Sequence, residues 1–356
     1  MTDGGLAGRG APGMADGPRC RRTDAAGGPV RFLLRWMVEG CAHQAVLRPV
    51  HDQVKARSAA GVPTVASVPT SETSRGLTDM TMHQLHPEAR ELERDGSRLT
   101  YWLQGPEDGP LIALTHGVSL DRHAFSGQVP VLVEAGYRVL TWDIRGHGRS
   151  QPMGPHISLA QIADDLVAIL DDVPADRAVI AGQSLGGMVA QDLLDRYPDR
   201  VAAMVVIGAP ALGDRPGRVM RVLQRLRVHM IRAWPDRLLR WVFTVMVTKD
   251  PEVRAYIAHA TEQLDKRGFV AVSFAAMDGY LREERARSHD VPVLLVHGEQ
   301  EERSVLESMH RWAARRPAVR HEVVAGGHLV NQENPEAFNQ ALLSFLAEHV
   351  PSGPRR

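Results

Sequence analysis

One serine, Ser184, lies in the pentapeptide Gly182-Gln183-Ser184-Leu185-Gly186, where an apolar run rich in β-branched residues gives way to a helix-like pattern. This pentapeptide fits G-x-S-x-G, the nucleophile elbow, in which a strained turn lifts a serine above the end of a sheet. Glycines suit the turn because a Cβ atom there would keep the helix away from the strand. A serine in this position could attack a carbonyl group, provided that a base lies within hydrogen-bond reach.

The base needs an orienting group of its own, and the chain order expected after such an elbow is serine, acid, histidine. His328, in VVAGGHLVNQENPEAF, follows the last predicted strand and is the predicted base. The loop after PVLLVHG supplies the acid, for which we favour Glu301 because its side chain can turn from the strand end toward the histidine. Three rival carboxylates remain open: Glu299, Glu302 and Asp214.

The negative charge that forms on an attacked carbonyl oxygen needs an oxyanion hole. The predicted donors are the backbone amides of Leu185, which follows the nucleophile, and of Val118, in the loop LTHGVSLDRHAF. His116 in that loop is predicted to be a structural hydrogen-bonding residue rather than a second base. The segment TWDIRGHGRS predicts a tight loop that is bonded to itself.

Short apolar runs alternate with helical patterns from about residue 90 onward, which predicts an α/β fold with a mostly parallel sheet. ARELERDGSRLTYWLQG predicts a hairpin that turns at Asp95-Gly96. SLAQIADDLVAILDDV predicts a helix with a capping box of Ser158 and Gln161, and residues 336–349 predict a closing helix. Six runs suit strands buried on both faces: LIALTH (111–116), RVLTWD (138–143), AVIAG (178–182), AMVVIG (203–208), PVLLVHG (292–298) and RHEVVAG (320–326).

Composition excludes several classes of protein. The 42 basic and 42 acidic side chains cancel, so nothing in the charge balance suggests a partner that is a nucleic acid or a membrane. No uninterrupted apolar tract reaches about 18 residues, which argues against a membrane span. The two cysteines, Cys20 and Cys41, lie outside the predicted core, so the core has no thiol for a disulfide or a metal site. We expect a cytoplasmic protein with no metal and no other cofactor.

Five segments, in order, resemble motifs of the α/β-hydrolase superfamily: HGVSLD its oxyanion loop, DIRGHGRS its D-x-R-G-x-G-x-S segment, GQSLGG its elbow, HGEQE its acid loop and GGH its histidine loop. The resemblance covers residues from about 92 to 348. It implies the α/β-hydrolase fold, with a mostly parallel eight-stranded sheet flanked by helices and a helical cap inserted after the sixth strand. The core looks like the enol-lactonase and small-molecule serine esterase branch. Glu301 stands where aspartate is usual in the family.

Composition and the strand–helix alternation, together with the resemblance, divide the chain into four predicted segments. Residues 1–79, rich in Gly, Pro, Ser and Thr, predict a disordered N-terminal extension, and one hypothesis is that translation begins at Met80 or Met82. Residues 80–210 and 290–356 form the two parts of the hydrolase core. Residues 211–289 form the helical cap.

The cap contains RVMRVLQRLRVHM, in which apolar residues recur at helical spacing and three arginines lie on another side of the helix. These arginines predict either a solvated face or a cationic rim for anionic substrates or an acyl carrier protein. The apolar positions are Val219, Val222, Leu223, Leu226 and Met230, and the arginines are Arg218, Arg221 and Arg225.

The resemblance implies cleavage of a small-molecule ester or lactone through an acyl-enzyme intermediate. The serine nucleophile argues against the dehalogenase and epoxide-hydrolase branches, which use aspartate. Other uses of the same triad remain open, namely acyl transfer, carbon–carbon bond hydrolysis and perhydrolysis. A non-catalytic ligand receptor on the same fold is a further alternative, because a fold does not determine a function.

Overall fold

A computed structural model describes residues 87–214, 221–222, 226, 229, 231–281 and 290–352 of the chain. All of them belong to one compact unit, Val65–Arg356. The predicted N-terminal extension, both cysteines and the two candidate start residues lie outside the described residues.

Eight strands form one sheet in the order β1-β2-β4-β3-β5-β6-β7-β8. The first two pair antiparallel with each other, and β2 pairs antiparallel with β4; every later pairing is parallel. The fold class predicted from the sequence is confirmed. The strands are β1 Arg90–Arg94, β2 Ser97–Gln104, β3 Leu111–Thr115, β4 Arg138–Trp142, β5 Ala178–Gln183, β6 Val201–Ile207, β7 Val293–Gly298 and β8 Arg320–Val324.

The described helices separate the parallel strands and close the chain, as expected for crossover connections. Half of the predicted capping box is present, because the Ser158 hydroxyl accepts a hydrogen bond from the Gln161 amide at 3.1 Å, whereas the Gln161 side chain donates to Asp95. The helices are α1 Val129–Glu134, α2 Leu159–Asp171, α3 Leu185–Arg196, α4 Asp236–Val247, α5 Pro251–Glu262, α6 Lys266–Leu281, α7 Arg303–Arg315, α8 Val330–Glu333 and α9 Pro335–His349.

The sheet is buried on both faces by two apolar clusters. One cluster joins α2 and α3 to the sheet and includes Leu166, Val189 and Leu295. The other joins α1 and α9 to the opposite face and includes Leu132 and Phe345. Helices on both faces explain why the central strands read as continuous apolar runs instead of alternating ones.

The edge strands behave differently from the central ones. The hairpin turns at Asp95 and Gly96, both with positive φ, as the sequence predicts. The run RHEVVAG, expected to be buried on both faces, forms the edge strand β8, and Val323 is 51% exposed. An edge strand has a neighbour on one side only, so its outer positions meet solvent.

The helices α4, α5 and α6 lie between β6 and β7, within the segment 211–289 predicted as the cap; we call them the cap helices. Of the arginine-rich run, Arg218 and Arg225 fall outside the described residues. Two of its apolar positions, Val222 and Leu226, are exposed by 57% and 53%. These two side chains therefore do not form a buried apolar face. No helix in the described ranges has the length and apolar character needed to cross a membrane.

Candidate active site

Ser184 occupies the turn between β5 and α3 with φ 52° and ψ −113°. Non-glycine residues rarely adopt positive φ, and such a conformation costs on the order of 1–3 kcal/mol. The turn is held by a hydrogen bond from the Ser184 amide to the Ile207 carbonyl at 2.8 Å. A Cβ on Gly186 would overlap the Thr115 carbonyl, so this glycine lets the helix pack against the neighbouring strand. The hydroxyl is therefore presented at the carboxyl edge of the sheet, as the sequence predicts.

His328 follows β8, and its Nδ1 lies 2.9 Å from both carboxylate oxygens of Glu301. The Glu301 side chain is fully buried, whereas that of His328 is 23% exposed. Glu301 is also held from the other side, because its Oε1 accepts the Glu302 amide at 2.8 Å. An Nδ1–H that donates to a carboxylate leaves the lone pair on Nε2, which is the form that a general base requires.

The electrostatics of His328 follow from two opposing effects. Burial by itself would lower the pKa of the imidazole, because a desolvated cation is disfavoured. The charge and hydrogen bond of Glu301, with smaller contributions from Glu333 and Glu302, outweigh burial and raise the pKa above its ordinary value. The charged form of the imidazole is thus stabilised by its neighbours.

The three rival acids do not contact His328. Asp214 forms ion pairs with Arg311 at 2.7 Å and Arg315 at 3.4 Å. Glu302 accepts a short hydrogen bond from the Ser304 hydroxyl, and Glu299 is exposed to solvent. Of the four carboxylates that the sequence offers, Glu301 is the one that orients the histidine.

Two contacts bring the histidine loop against the elbow. The Gln183 side chain, one residue before the serine, donates to the His328 carbonyl at 3.1 Å. Gly208, which follows Ile207 at the end of β6, has φ 54°, and a Cβ there would lie 2.7 Å from Glu301 Oε2 and 3.3 Å from His328 Nδ1. Only a residue without a side chain leaves room for the acid and the base to meet at this point.

The predicted oxyanion donors lie on neighbouring backbone segments. Leu185 is the first residue of α3, so its amide precedes the first intrahelical hydrogen bond. In the described part of the chain, no hydrogen bond uses the Val118 amide. A Cβ on Gly117 would lie 3.4 Å from the Ser184 Cβ, which shows how closely this loop approaches the elbow. Both amides are free to receive a developing negative charge.

Two buried histidines hold the oxyanion loop. His116 Nε2 accepts the Ile144 amide at 3.0 Å, and His147 Nε2 accepts the Ser119 amide at 3.1 Å. Burial lowers the pKa of both imidazoles, that of His147 to about 3, so both remain neutral acceptors. The expectation that His116 is structural is confirmed.

The segment TWDIRGHGRS is bonded to itself, as predicted from the sequence. Asp143 accepts the backbone amides of Arg122 at 2.8 Å and Arg149 at 2.7 Å. Arg145 forms two hydrogen bonds of 2.6 Å with Asp165 of α2, and both side chains are fully buried. These contacts hold the segment in one conformation next to the predicted oxyanion loop.

Two cap residues, Tyr256 in α5 and Gln263 just after it, contact the predicted oxyanion loop through Asp121. The Tyr256 hydroxyl lies 2.9 Å from Asp121 Oδ1, and the Gln263 amide donates to Oδ2 at 3.2 Å. Burial alone would raise the pKa of the Asp121 carboxyl, but the neighbouring His123 holds it well below its usual range. A cavity of about 360 Å³ lies beside this contact and is lined by Trp102 among others, but not by Ser184 or His328.

Three of these positions were not singled out by the sequence reasoning. Gln183 sits in the x position of the elbow motif, and Tyr256 and Gln263 belong to a cap whose sequence carries no motif. Only Gln183 had a signal in the sequence, namely an amide side chain directly before the predicted nucleophile. The cap contacts depend on tertiary packing.

Comparison with known proteins agrees with the geometry. The family described as "Serine aminopeptidase, S33" matches residues 107–327. The chain is 24% identical over 250 residues to 3-oxoadipate enol-lactonase 2 of Acinetobacter baylyi, covering 70% of this chain and 92% of that protein. It is 29% identical over 212 residues to epoxide hydrolase B of Mycobacterium tuberculosis, covering 55% of this chain and 58% of that protein.

Among solved structures, a hydrolase from Pseudomonas aeruginosa superposes with a TM-score of 0.63 at 28% identity, covering 72% of this chain and 98% of that one. The matched family accounts for more than half of the chain, and the relatives share one fold. The chain therefore belongs to the "Serine aminopeptidase, S33" family and is an α/β-fold hydrolase related to enol-lactonases and epoxide hydrolases.

Proposed function

We propose that the chain is a serine hydrolase that cleaves a small-molecule carboxylic ester or lactone through an acyl-enzyme intermediate. The observation that carries the proposal is the strained backbone of Ser184, φ 52°, at the turn between β5 and α3. A serine with a purely structural role would not need this conformation, which has to be stabilised by the surrounding structure. The contact between His328 and Glu301 adds support, because it supplies a base in the required tautomer.

In the proposed reaction, Ser184 Oγ attacks the carbonyl carbon while His328 Nε2 takes the hydroxyl proton. Glu301 holds the ring through Nδ1 and stabilises the imidazolium. The Val118 and Leu185 amides donate to the oxyanion. Collapse of the tetrahedral intermediate expels the alcohol, to which His328 returns the proton, and leaves an ester on Ser184. His328 then deprotonates a water molecule, which attacks this ester. Breakdown of the second tetrahedral intermediate releases the acid, and His328 returns the proton to Ser184 Oγ.

The related enol-lactonase of Acinetobacter baylyi supports a lactone or ester as substrate. The similarity to an epoxide hydrolase does not change the proposed reaction. The resemblance implies an aspartate nucleophile in that branch, whereas this chain has Ser184. The cytoplasmic location and the alternative partner, an acyl carrier protein, remain predictions from the sequence.

Replacement of the nucleophile tests the proposal. Ser184→Ala is expected to lower kcat for p-nitrophenyl acetate by about 10⁶-fold, as in other triads of this kind. A fluorophosphonate probe should add one label to the parent protein, at Ser184. Ser126→Ala, which removes an exposed hydroxyl from the same fold, is the matched control and should keep full activity and labelling. A Ser184→Ala protein that hydrolyses the ester at the parent rate would contradict the proposal.

A panel of esters and lactones of increasing acyl length, followed by identification of the products, would then define the substrate. Release of a free carboxylic acid from one member of the panel supports hydrolysis. Transfer of the acyl group to an added alcohol in preference to water would instead indicate an acyltransferase that uses the same triad.

A further inference from the structure

Three histidines meet on the face of the sheet that α7 covers, away from the proposed triad. His297 belongs to β7, His321 to β8 and His310 to α7. Their ring centroids lie 4.9 to 5.3 Å apart in all three pairings. One nitrogen from each ring can be chosen so that the three nitrogens lie within 4.8 Å of one another. We propose that this three-histidine cluster binds one divalent transition-metal ion, with Zn²⁺ as the best fit.

Strand register explains how residues far apart in the sequence meet. His321 pairs with Leu295, and His297 pairs with Val323, so His297 and His321 are diagonal neighbours on adjacent strands. Side chains two apart along a strand point to the same face, which places both rings on the side of Leu295. Leu295 packs in the same apolar cluster as Met309, the residue that precedes His310 in α7. The helix thus brings the third ring over the two strands.

The hydrogen bonds of His297 prepare it as a ligand. Its Nδ1 donates to the Gly298 carbonyl at 2.9 Å, so the lone pair is on Nε2. That Nε2 is buried and has no hydrogen-bond partner, and neither does the buried Nε2 of His321. Buried polar atoms are normally satisfied, so two unpartnered ring nitrogens side by side need an explanation. A second-shell bond to a backbone carbonyl is also what metal-binding histidines use to orient the ring.

The type of ligand atom determines which metal ions the cluster can bind well. Three imidazoles with no thiolate and no carboxylate suit Zn²⁺, Ni²⁺ or Cu²⁺ rather than Mg²⁺ or Ca²⁺, which prefer oxygen ligands. Zn–N bonds of about 2.0–2.1 Å in a tetrahedron place the nitrogens about 3.4 Å apart. The nitrogens must therefore approach by up to about 1.4 Å, and His310, which is exposed on the helix, has the freedom to turn inward.

One side of the cluster faces solvent, so a metal ion can enter there and keep one open coordination position. His297 is 1% exposed, His321 is partly exposed and His310 faces solvent. A fourth ligand would be water from that side. In the described residues, no hydrogen bond joins these histidines to the proposed triad, so the site is separate from the candidate active site. Bound metal would connect β7, α7 and β8.

The first test is metal binding by untagged full-length protein that has been freed of metal with a chelator. Isothermal titration with ZnCl₂ should give one site per chain. Saturating Zn²⁺, at about 100 times its Kd, should raise Tm by about 5 °C. Co²⁺ should produce the visible absorption bands of a tetrahedral nitrogen site, which a cluster of stacked, uncharged rings does not give.

His310→Ala removes an exposed ligand with little risk to folding and should weaken Zn²⁺ binding by at least about tenfold. His321→Gln is a second variant, with circular dichroism as the check on folding. His349→Ala, an exposed histidine on α9, is the matched control and should bind as the parent does. Absence of saturable Zn²⁺ and Co²⁺ binding in the parent overturns the proposal. So does binding that His310→Ala and His349→Ala leave equally unchanged.

Discussion

The carboxylate of Glu301 offers the sharpest test of the proposed triad, through the substitution Glu301→Gln. Both carboxylate oxygens lie 2.9 Å from His328 Nδ1, and one of them also accepts the Glu302 amide. Glutamine places one oxygen and one NH₂ group at this distance from Nδ1, in place of two acceptors that share a negative charge. The tautomer with its proton on Nε2, which cannot accept the proton of Ser184, is then no longer disfavoured.

Loss of the orienting charge and of the correct tautomer together should lower kcat by about 10³ to 10⁴-fold, as in other triads whose acid becomes an amide. This corresponds to about 4–5.5 kcal/mol of transition-state stabilisation. The volume of the side chain hardly changes, so Tm should stay close to that of the parent. Glu299→Gln, which neutralises an exposed rival acid in the same loop, is the matched control and should retain activity.

The pH dependence of kcat/KM for p-nitrophenyl acetate gives a second measurement on the same variants. Only the neutral imidazole acts as a base, and Glu301 raises the pKa of His328 above 6.5. Activity of the parent should therefore fall as pH decreases through a pKa above 6.5. In Glu301→Gln this acidic limb should move to lower pH, because the effect of burial is then opposed only by the smaller contributions of Glu333 and Glu302. A variant that keeps kcat within tenfold, or an acidic limb at an unchanged pH, would refute the reasoning.

Three further predictions concern the support of the site. Gly208→Ala, in a position with φ 54° that leaves 2.7 Å between the new Cβ and the carboxylate of the proposed acid, should lower kcat more than it changes KM in steady-state assays; unchanged kcat would contradict it. Arg145→Met leaves a buried carboxylate without its bidentate partner and should lower the free energy of unfolding by about 3 kcal/mol in urea titrations. The same change at the exposed Arg303 should lower it by less than about 1 kcal/mol, and equal losses would count against this reasoning. The folded-state pKa of His147 is about 3, below that of the unfolded chain, so stability is complete above about pH 6.5 and falls by up to about 1.4 kcal/mol per unit as pH decreases toward 3. Urea titrations from pH 7 to 5 should show a shallower dependence in His147→Gln, and an unaltered slope would exclude this group.

The central sheet was predictable because each strand carries its own signal. Runs such as Val201–Ile207 are apolar throughout and short, as required of a strand covered on both faces. The hairpin followed from Asp95-Gly96, a pair suited to positive φ. The prediction that β8 is buried on both faces was wrong, and the sequence held a warning, because three of the five residues in RHEVV are polar. Its place at the edge depends on the order of the whole sheet.

The candidate site was predictable to the extent that motifs carry it. Ser184 and His328 followed from glycine-rich motifs at element ends, whereas Glu301 was favoured over three rivals that only a folded loop could separate. The histidine cluster was missed, because 297, 310 and 321 have no recognisable ligand spacing and meet only through strand register. A histidine inside the apolar run PVLLVHG was its one visible signal.

Asp121 links two parts of the protein that serve different purposes. Its carboxylate accepts hydrogen bonds from the side chains of Tyr256 in α5 and of Gln263 just after α5, and its backbone belongs to the loop that offers the Val118 amide. A cap helix is thereby anchored to the segment that would stabilise the transition state in the proposed mechanism. Substitutions that adapt the cap to a bulkier substrate are therefore expected to disturb turnover as well as recognition. Positions 256 and 263 are poor starting points for redesigning specificity.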